Sequence, residues 1–316
     1  MTYLVTGCAG FIGSHVTERL LSRGETVFGI DDLNDYYAVS QKMTNLKILS
    51  EFDKFSFKKT DIRDKKALDS LSTEIESPEA IIHLAARAGV RASIDNPEIY
   101  FQTNVLGTLN LLELSRKVKS RRFACASSSS VYGNNRKIPY SESDVTDSPI
   151  SPYAASKKSA ELLCHAYSSL YSMNITCLRF FTVYGPRGRP DMAPFKFMDA
   201  ISKGKPIDVY GDGTSKRDYT YIDDIVAGVI AAADKDLSFE VINLGNSSPV
   251  SLDEFILTME ATVGKPAKIV RKPEQPGDVR ITFADISKAK KLLKFSPKTS
   301  LKTGLRKMHD WYLNRR

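Results

Sequence analysis

A glycine-rich turn between an apolar strand and a helix constrains this chain more than any other feature of its sequence. The turn, Gly7–Gly13 (GCAGFIG), follows the apolar run Tyr3–Thr6 and leads into Phe11–Arg23, whose apolar residues recur every three or four positions. In such a turn the glycines allow a tight bend, close approach of the backbone to a diphosphate, and close packing of helix on sheet. The spacing G-x-x-G-x-x-G differs by one residue from the usual dinucleotide fingerprint, and a purely structural turn is the alternative.

The first half of the chain alternates apolar strands with amphipathic helices. Strands are predicted at Tyr3–Thr6, Thr26–Ile30, Phe55–Lys59, Ala80–Leu84 and Arg122–Ala126, and helices at Phe11–Arg23, Lys65–Thr73 and Pro97–Val118. A chain that repeats strand, helix and strand builds a parallel sheet with helices on both faces. We therefore predict an α/β fold with a Rossmann-type doubly wound parallel sheet, whose ligands bind at the carboxyl ends of the strands.

The acidic residue that ends the second predicted strand indicates which dinucleotide binds. Asp31 lies 18 residues past Gly13, where a carboxylate can accept hydrogen bonds from both ribose hydroxyls of NAD and would repel the extra phosphate of NADP. The segment Asp31–Val39 has no Lys or Arg to offset that repulsion. We therefore predict NAD as the cofactor. Asp61, after the third strand, is a candidate adenine contact, and a helix N-cap is the alternative.

The regular alternation ends near Leu178, and proline and glycine then interrupt the chain at 185–190, 204–213 and 273–277. A chain of 316 residues is long enough for about two domains. We predict an NAD-binding Rossmann domain over residues 1–178. A smaller C-terminal α/β substrate domain is predicted over residues 179–316, with some of its segments returning to the first domain.

Composition narrows the class of protein and the kind of partner. The chain has 45 basic and 37 acidic side chains, a net charge of +8 that favours anionic partners without choosing among them. No apolar run approaches the roughly 18 residues of a membrane span, and the N-terminus is a poor signal peptide. The four cysteines and four histidines show no metal-binding spacing, so we expect buried thiols, no metal and a cytoplasmic protein.

A tyrosine and a lysine at helical spacing are candidates for proton transfer. Tyr153 and Lys157 are four residues apart in a strong helix that Ser151 would cap and Pro152 would begin, so both side chains share one face. A tyrosine is a poor base near neutral pH unless a neighbouring cation stabilises its phenolate. The serine run Ser127–Ser130 ends the fifth strand, where the chemistry of a parallel sheet is expected. A structural tyrosine–lysine pair is the alternative.

Several further motifs identify a family. The glycine turn, HLAA at 83–86, SVYG at 130–133, the Tyr153/Lys157 pair, RFF at 179–181 and GDG at 211–213 together resemble the extended short-chain dehydrogenase/reductases. Within that superfamily the chain resembles the NAD-dependent epimerase/dehydratase family of nucleotide-sugar enzymes from end to end. It is most similar to the UDP-glucuronate 4-epimerases, through AGVR at 88–91 and FTVYGPRGRPDM at 181–192.

The resemblance implies roles for individual residues. It makes Tyr153 the catalytic base, Lys157 its activator and Ser128 their hydroxyl-bearing partner. The implied cofactor-binding residues are Gly7, Gly10, Phe11, Ile12, Gly13, Asp31, Asp32, Asn34, Asp61, Ile62, Leu84, Ala85, Ala86, Asn104, Tyr153 and Lys157. The implied substrate-binding residues are Arg91, Ser128, Ser129, Ser130, Thr182, Arg189, Arg217 and Asp278. Arg87 stands where close relatives commonly have Gln.

The implied activity is NAD-dependent 4-epimerisation of UDP-glucuronate to UDP-galacturonate through a 4-keto intermediate. Related dehydratases carry an acidic pair where this chain has Ser129 and Ser130, and UDP-xylose synthases usually carry Glu at the second of these positions. Because the 4-keto acid easily loses carbon dioxide, we expect Thr182, Arg189 and the serines to restrain the sugar carboxylate. The alternatives are a 4-epimerase of neutral UDP-sugars, a UDP-glucuronate decarboxylase, and a non-catalytic NAD- or RNA-binding protein.

Two surfaces bear on macromolecular partners. The basic run Arg116–Arg122 could bind nucleic acid, but basic residues at a helix end also complement the helix dipole, and we expect no nucleic-acid or membrane partner. In many relatives the helices corresponding to Pro97–Val118 and Ser151–Ser172 pair across a two-fold axis. The resemblance therefore implies a homodimer.

Overall fold

The computed structural model describes residues 1–274 and 279–314, and its central feature is a seven-stranded parallel sheet. The strands, in the spatial order β3-β2-β1-β4-β5-β6-β10, all run in the same direction. They are β1 Thr2–Thr6, β2 Thr26–Asp31, β3 Phe55–Lys59, β4 Ala80–His83, β5 Arg122–Ser128, β6 Asn174–Phe180 and β10 Phe239–Leu244. Helices connect successive strands, so the predicted doubly wound α/β fold is confirmed.

The helices of the first half differ from the prediction in three places. They are α1 Phe11–Ser22, α2 Val39–Leu49, α3 Lys65–Leu71, α4 Val90–Asp95, α5 Pro97–Phe101, α6 Gly107–Lys117 and α7 Pro152–Tyr171. The sequence pattern did not predict α2 or α4. The single helix predicted at Pro97–Val118 is instead interrupted by a π-helical turn at Gln102–Leu106, which separates α5 from α6.

The second half builds smaller sheets beside the carboxyl ends of the large one. Strands β7 Thr182–Tyr184, β9 Lys216–Tyr221, β11 Pro249–Ser251 and β13 Ile281–Thr282 form one small sheet, and β8 Pro206–Tyr210 pairs with β12 Lys268–Lys272. The helices are α8 Ala193–Ser202, α9 Ile222–Ala233, α10 Leu252–Val263, α11 Ser287–Leu293 and α12 Leu301–Asn314. Because β10 lies in the large sheet, the chain returns to that sheet after it has left it at the end of β6. The predicted domain boundary near residue 178 stays a prediction.

The core lies on both faces of the large sheet. Along β1, Tyr3 and Val5 belong to one hydrophobic cluster and Leu4 to the other, as the alternation of side chains along a strand requires. All four cysteines are free and buried, as predicted. No helix in residues 1–274 or 279–314 is both long and apolar enough for a bilayer span. The basic run is largely neutralised, since Arg121 and Arg122 pair with Asp236 and Lys117 pairs with Asp69.

Candidate active site

A cavity of about 500 Å³ opens at the carboxyl ends of the large sheet and is also lined by the second half of the chain. It brings together nearly all the predicted site residues, although their individual roles stay predictions. The predicted residues that line it are Gly7, Gly10, Phe11, Ile12, Gly13, Asp31, Asp32, Asn34, Asp61, Ile62, Leu84, Ala85, Ala86, Arg91, Ser128, Ser129, Ser130, Tyr153, Lys157, Thr182, Arg189 and Arg217. Asn104 lies behind the wall, and Asp278 lies outside the described residues.

The glycine turn forms a cradle that larger residues would fill. Gly7 has a left-handed φ of +71°, and a Cβ there would lie 2.8 Å from the Ala85 nitrogen. A Cβ on Gly13 would lie 2.0 Å from the Gly7 carbonyl oxygen, so the start of α1 packs directly on the turn. The first turn of α1 carries no acidic side chain, and its backbone N–H groups are available to an anion. These features fit the diphosphate of a dinucleotide.

Asp31 is buried at the end of β2 and held by three partners. Its carboxylate accepts hydrogen bonds from the backbone nitrogens of Leu33 at 2.8 Å and Ala9 at 3.2 Å. The Lys42 ammonium lies 3.5 Å from it. Burial raises the pKa of Asp31, and Lys42 opposes that rise. Lys42 lies beyond the segment Asp31–Val39 and was not predicted as a partner of Asp31. Its ammonium also lies 4.0 Å from Asp32.

The residues predicted for the adenosine end lie at the tips of β2 and β3. The Asn34 side chain donates to Asp32 at 2.6 Å, which fixes the loop after β2. Asp61 accepts from the Arg63 side chain, and the pKa of Asp61 is lowered by that bond against the effect of burial. The alternative prediction of Asp61 as a helix N-cap is wrong, because Asp64 caps α3 through the Ala67 nitrogen. The adenine contact of Asp61 stays a prediction.

A buried histidine ties the glycine turn to the end of β4. Thr108 donates to the Asn104 carbonyl at 2.6 Å, so its hydroxyl must accept from His83 Nε2 at 3.0 Å. His83 Nδ1 then accepts from the Thr6 hydroxyl at 2.8 Å, and Thr6 in turn accepts from the Ala85 nitrogen at 3.1 Å. The bond pattern assigns His83 as neutral with its proton on Nε2, in accord with a pKa that burial lowers to about 4.

Asn104 lies in the π-helical turn and stabilises the loop after β4 by hydrogen bonds. Its side chain accepts from the Arg87 nitrogen at 2.8 Å, donates to the Arg87 carbonyl at 2.9 Å and donates to Ser156 at 2.9 Å. Ser156 also donates to the Tyr153 carbonyl at 2.8 Å. Asn104 thus links the loop at the cavity wall to the start of α7. It positions other groups and does not itself line the cavity.

The helix that carries the candidate base begins as predicted. Ser151 caps α7 through the Ala154 nitrogen at 3.1 Å, and Pro152 occupies its first turn. The buried Lys157 ammonium donates to the Ala126 carbonyl at 2.7 Å, which fixes the cation at the end of β5. Both Tyr153 and Lys157 line the cavity. The arrangement suits a phenol that must hold negative charge transiently.

All four serines of the run Ser127–Ser130 line the cavity, and Ser127 is the most deeply buried of them. Ser127 donates to Glu161, which also binds Arg179 in a buried, bidentate ion pair. Ser128 accepts from the Ser130 nitrogen at 3.2 Å and from the Ser130 hydroxyl at 2.9 Å, so it caps the short 3₁₀ turn Ser129–Tyr132. The Ser128 hydroxyl proton is then available to a ligand oxygen in the cavity.

Tyr36, Tyr37, Lys42 and Arg87 are among the cavity-lining residues to which the sequence analysis gave no role. Tyr36 contacts Arg189, 153 residues later in the chain, with the guanidinium carbon 5.5 Å from the ring centroid. Arg87 lies on the same ring at 5.9 Å. The pair of adjacent tyrosines after Asn34 was the available signal in the sequence. Its partners are too distant along the chain for any local pattern to indicate.

The predicted arginines occupy the far wall of the cavity. Arg91 lies over the Tyr210 ring at 5.2 Å. Arg217 donates to the backbone carbonyl of Lys216 at 3.0 Å. Arg189 is paired with Asp191, through Nε to Oδ1 at 3.0 Å. Together they make this wall suitable for anionic groups of a ligand.

Comparison with known proteins places these features in a family. A family model described as GDP-mannose 4,6 dehydratase matches residues 4–308. The UDP-glucuronate 4-epimerase of Thermodesulfobacterium geofontis (strain OPF15) is 48% identical over 310 residues, which cover 98% of this chain and 95% of that protein. A probable UDP-glucuronate 4-epimerase of Rhizobium meliloti (strain 1021) is 43% identical over an alignment 331 positions long, which covers 99% of this chain and 97% of that protein.

Solved structures resemble the whole chain. A crystal structure of the UDP-glucuronic acid 4-epimerase from Bacillus cereus, in complex with UDP-glucuronic acid and NAD, superposes with a TM-score of 0.94 at 39% identity and covers 100% of both chains. A UDP-glucose 4-epimerase from Thermotoga maritima with UDP-glucose gives a TM-score of 0.91 at 33% identity, over 100% of this chain and 99% of that one. The similarity therefore extends over both halves of the chain.

Proposed function

Because the chain belongs to the NAD-dependent epimerase/dehydratase family, we propose that it is an NAD-dependent isomerase that interconverts UDP-glucuronate and UDP-galacturonate at C4. The main support for this proposal is that a single cavity is lined by the glycine turn, by Tyr153 and Lys157, and by Thr182 and Arg189. Relatives named for this activity are 43–48% identical over nearly the whole chain.

The chain's own residues supply the proton chemistry. Bound NAD would supply the hydride acceptor for oxidation at C4 of the sugar and the hydride donor for the return to the opposite face. Tyr153 accepts the C4 hydroxyl proton and later gives it back. Lys157, fixed by the Ala126 carbonyl, stabilises the phenolate electrostatically. Ser128 donates its free hydroxyl proton to the same substrate oxygen and so orients it for the transfer.

The cofactor is held by groups that position it without taking part in the reaction. The backbone of the glycine turn would bind the diphosphate, and Asp31 would accept from the adenosine ribose hydroxyls. His83 and Asn104 fix the loop after β4 against this turn and against α7. Tight retention of NAD follows, since each turnover restores the oxidised form.

The serines favour epimerisation over elimination of water. Elimination across two carbons needs an additional acid and base beside the sugar, and this chain has Ser129 and Ser130 lining that part of the cavity. The remaining hazard is loss of carbon dioxide from the 4-keto acid, which requires the carboxylate bond to align with the ketone π system. Thr182 and Arg189 restrain the carboxylate away from that alignment.

The test is to offer UDP-glucuronate, UDP-galactose and UDP-N-acetylglucosamine to the purified protein and to follow product stereochemistry and carbon dioxide. UDP-galacturonate from UDP-glucuronate, with little carbon dioxide and no added NAD, is expected. Arg189→Ala should slow epimerisation and increase carbon dioxide release. Turnover of UDP-galactose alone would favour the second candidate, a neutral-sugar epimerase, which the similarity to the UDP-glucose enzyme of Thermotoga maritima supports. Carbon dioxide as the main product would indicate a decarboxylase.

A homodimer in the cytoplasm belongs to the same proposal. Apolar side chains are exposed on the two helical segments that pair in relatives, including Leu106 at 53%, Leu162 at 59% and Leu170 at 72%. A second copy of the same face would cover them. Four buried, free cysteines fit a reducing compartment.

A further inference from the structure

Arg189, the arginine of the proposed carboxylate-binding wall, is held from behind by an aspartate. Its Nε donates to Asp191 Oδ1 at 3.0 Å and its Nη2 donates to Asp191 Oδ2, a bidentate pair that uses one edge of the guanidinium. Among the described residues, Arg189 lines the cavity and Asp191 does not. The edge of Arg189 that Asp191 leaves unused, with Nη1, is therefore the one available to a ligand.

Tyr36 holds both members of this pair. Its hydroxyl donates to Asp191 Oδ2 at 3.4 Å, and its ring lies 5.5 Å from the Arg189 guanidinium carbon. Arg87 lies 5.9 Å from the same ring centroid, so the ring is in contact with two guanidinium groups. Gly89 makes room for it, because a Cβ there would lie 2.6 Å from the Tyr36 oxygen. Tyr36 is thus fixed on several sides.

The two segments that meet here come from different halves of the chain. Tyr36 follows β2 of the large sheet, and Arg189 follows β7 of the small sheet. The Gln41 side chain fastens the same two segments together, donating to the carbonyls of Arg187 at 3.0 Å and Gly188 at 3.1 Å. The orientation of Arg189 is therefore set by the large-sheet half of the molecule as well as by its own loop.

The charges of the cluster balance only when an anion is added. Arg87 and Arg189 contribute two positive charges and Asp191 one negative charge, so the group carries one positive charge in total. A substrate carboxylate on the free edge of Arg189 would bring this total to zero. A neutral hydroxymethyl group would leave that positive charge in a partly buried wall, offset in part by the attraction between Arg87 and Asp61.

We propose that Tyr36 and Asp191 are positioning residues that fix the free edge of Arg189 toward the sugar carboxylate, and so determine how seldom the 4-keto acid loses carbon dioxide. The inference rests on the proposed function and identifies how the site protects its intermediate. In the unwanted reaction the C5–C6 bond breaks and carbon dioxide leaves. The electron pair of that bond forms the enolate of the C4 ketone, C5 then takes a proton from solvent, and the two electrons removed from C4 stay on the cofactor.

Three variants separate the ring, the hydrogen bond and the charge. Tyr36→Leu removes the ring between the arginines and should raise carbon dioxide released per epimerisation roughly tenfold. Tyr36→Phe keeps the ring and removes the hydroxyl that contacts Asp191 and Tyr100, so its increase should be smaller. Asp191→Ala removes the group that orients Arg189, so carbon dioxide release should rise. It also removes the negative charge beside Arg189, so KM for UDP-glucuronate should fall about threefold. A merely structural role for Asp191 would raise KM.

A matched control removes a tyrosine–aspartate hydrogen bond elsewhere. Tyr312 donates to Asp199 at 2.9 Å between α12 and α8, and Tyr312→Phe should leave both KM and the carbon dioxide ratio as in the wild type. Unchanged ratios in Tyr36→Leu and Asp191→Ala, with normal epimerisation by the wild type, would overturn this inference alone. A wild type that does not epimerise UDP-glucuronate would overturn the proposed function, and this inference with it.

Discussion

The Lys42 ammonium lies 3.5 Å from the Asp31 carboxylate, with both side chains about 95% buried. The contact joins the first helix after β2 to the residue that would hold the adenosine ribose. Removing one partner of a buried pair leaves an uncompensated charge, which costs far more than the pair itself contributes. Lys42 therefore supports Asp31 both as a structural group and as an ionised ligand for NAD.

Lys42→Met should lower the free energy of unfolding by about 3 kcal/mol and reduce the NAD content of the purified protein. The reason is that an unpaired, buried Asp31 has its pKa raised further, since burial already raises it. Denaturant unfolding and cofactor content after extraction measure the two effects. Lys203→Met is the control, because Lys203 pairs with Asp199 at the surface and its loss should cost less than about 1 kcal/mol. Equal losses in the two variants would contradict the prediction.

Lys157→Met should lower kcat by about 10²-fold or more, measured on protein saturated with NAD. The variant removes the cation that stabilises the Tyr153 phenolate and the donor to the Ala126 carbonyl. Steady-state epimerisation rates provide the measurement. Lys158, the next residue of α7, donates instead to Thr146 at 2.6 Å, and Lys158→Met should keep nearly the wild-type rate. Similar rates for both variants would remove Lys157 from the mechanism.

The stability of the protein should fall as the pH drops below about 6.5, in part through His83. Burial lowers the pKa of His83 to about 4, so the unfolded chain takes up a proton over this range while the native state does not. Between about pH 7 and about pH 5 the loss from this group is about 2 kcal/mol. His15, whose pKa burial lowers to about 3, acts in the same direction.

His83→Gln tests that origin, because glutamine has no titrating group. The variant should be less stable than the wild type near neutral pH, since it disturbs the bonds to Thr6 and Thr108. Between about pH 7 and about pH 5, its free energy of unfolding should nevertheless fall by about 2 kcal/mol less than that of the wild type. Urea unfolding at the two pH values measures the difference. An unchanged pH dependence would show that His83 is not responsible.

Leu162→Glu should convert the proposed dimer to a monomer. Leu162 is 59% exposed on α7, and a carboxylate there would be buried without a partner at the two-fold interface. Analytical ultracentrifugation of both proteins over a range of concentrations measures the change. Leu257→Glu, at a leucine 64% exposed on α10, is the control and should leave the assembly unchanged. A wild-type protein that sediments as a monomer would remove the dimer from the proposal.

The sequence predicted those features that depend on neighbours along the chain. The glycine turn, the five strands before residue 130 and the capped start of α7 follow from local patterns, and the structure has them in nearly the predicted places. The interruption at Gln102–Leu106 was not predictable, because it serves the contact of Asn104 with Arg87 and Ser156. Tertiary bonds of this kind override a helical pattern that is otherwise continuous.

The site shows the same division between local and distant relationships. Tyr153, Lys157 and Asp31 follow from spacing within one or two elements, and the cavity brings them together. Lys42 escaped notice because only the fold turns α2 back onto the end of β2. The contact between Tyr36 and Arg189 joins two halves of the chain and depends on how the small sheet is placed. Such pairings are set by packing, which no single segment encodes.

Strand β10 has a practical consequence for redesign. It lies beside β6 in register, Phe239 opposite Ile175 and Leu244 opposite Phe180, so the intervening stretch 181–238 leaves and re-enters the large sheet through adjacent strands. The two strands run parallel, so the stretch leaves at the carboxyl end of β6 and returns at the amino end of β10, about 17 Å away along the strand direction. A cassette taken from a relative with another sugar preference would therefore have to span the length of the large sheet between its two junctions, and it would replace α9 together with the segment that carries Thr182 and Arg189.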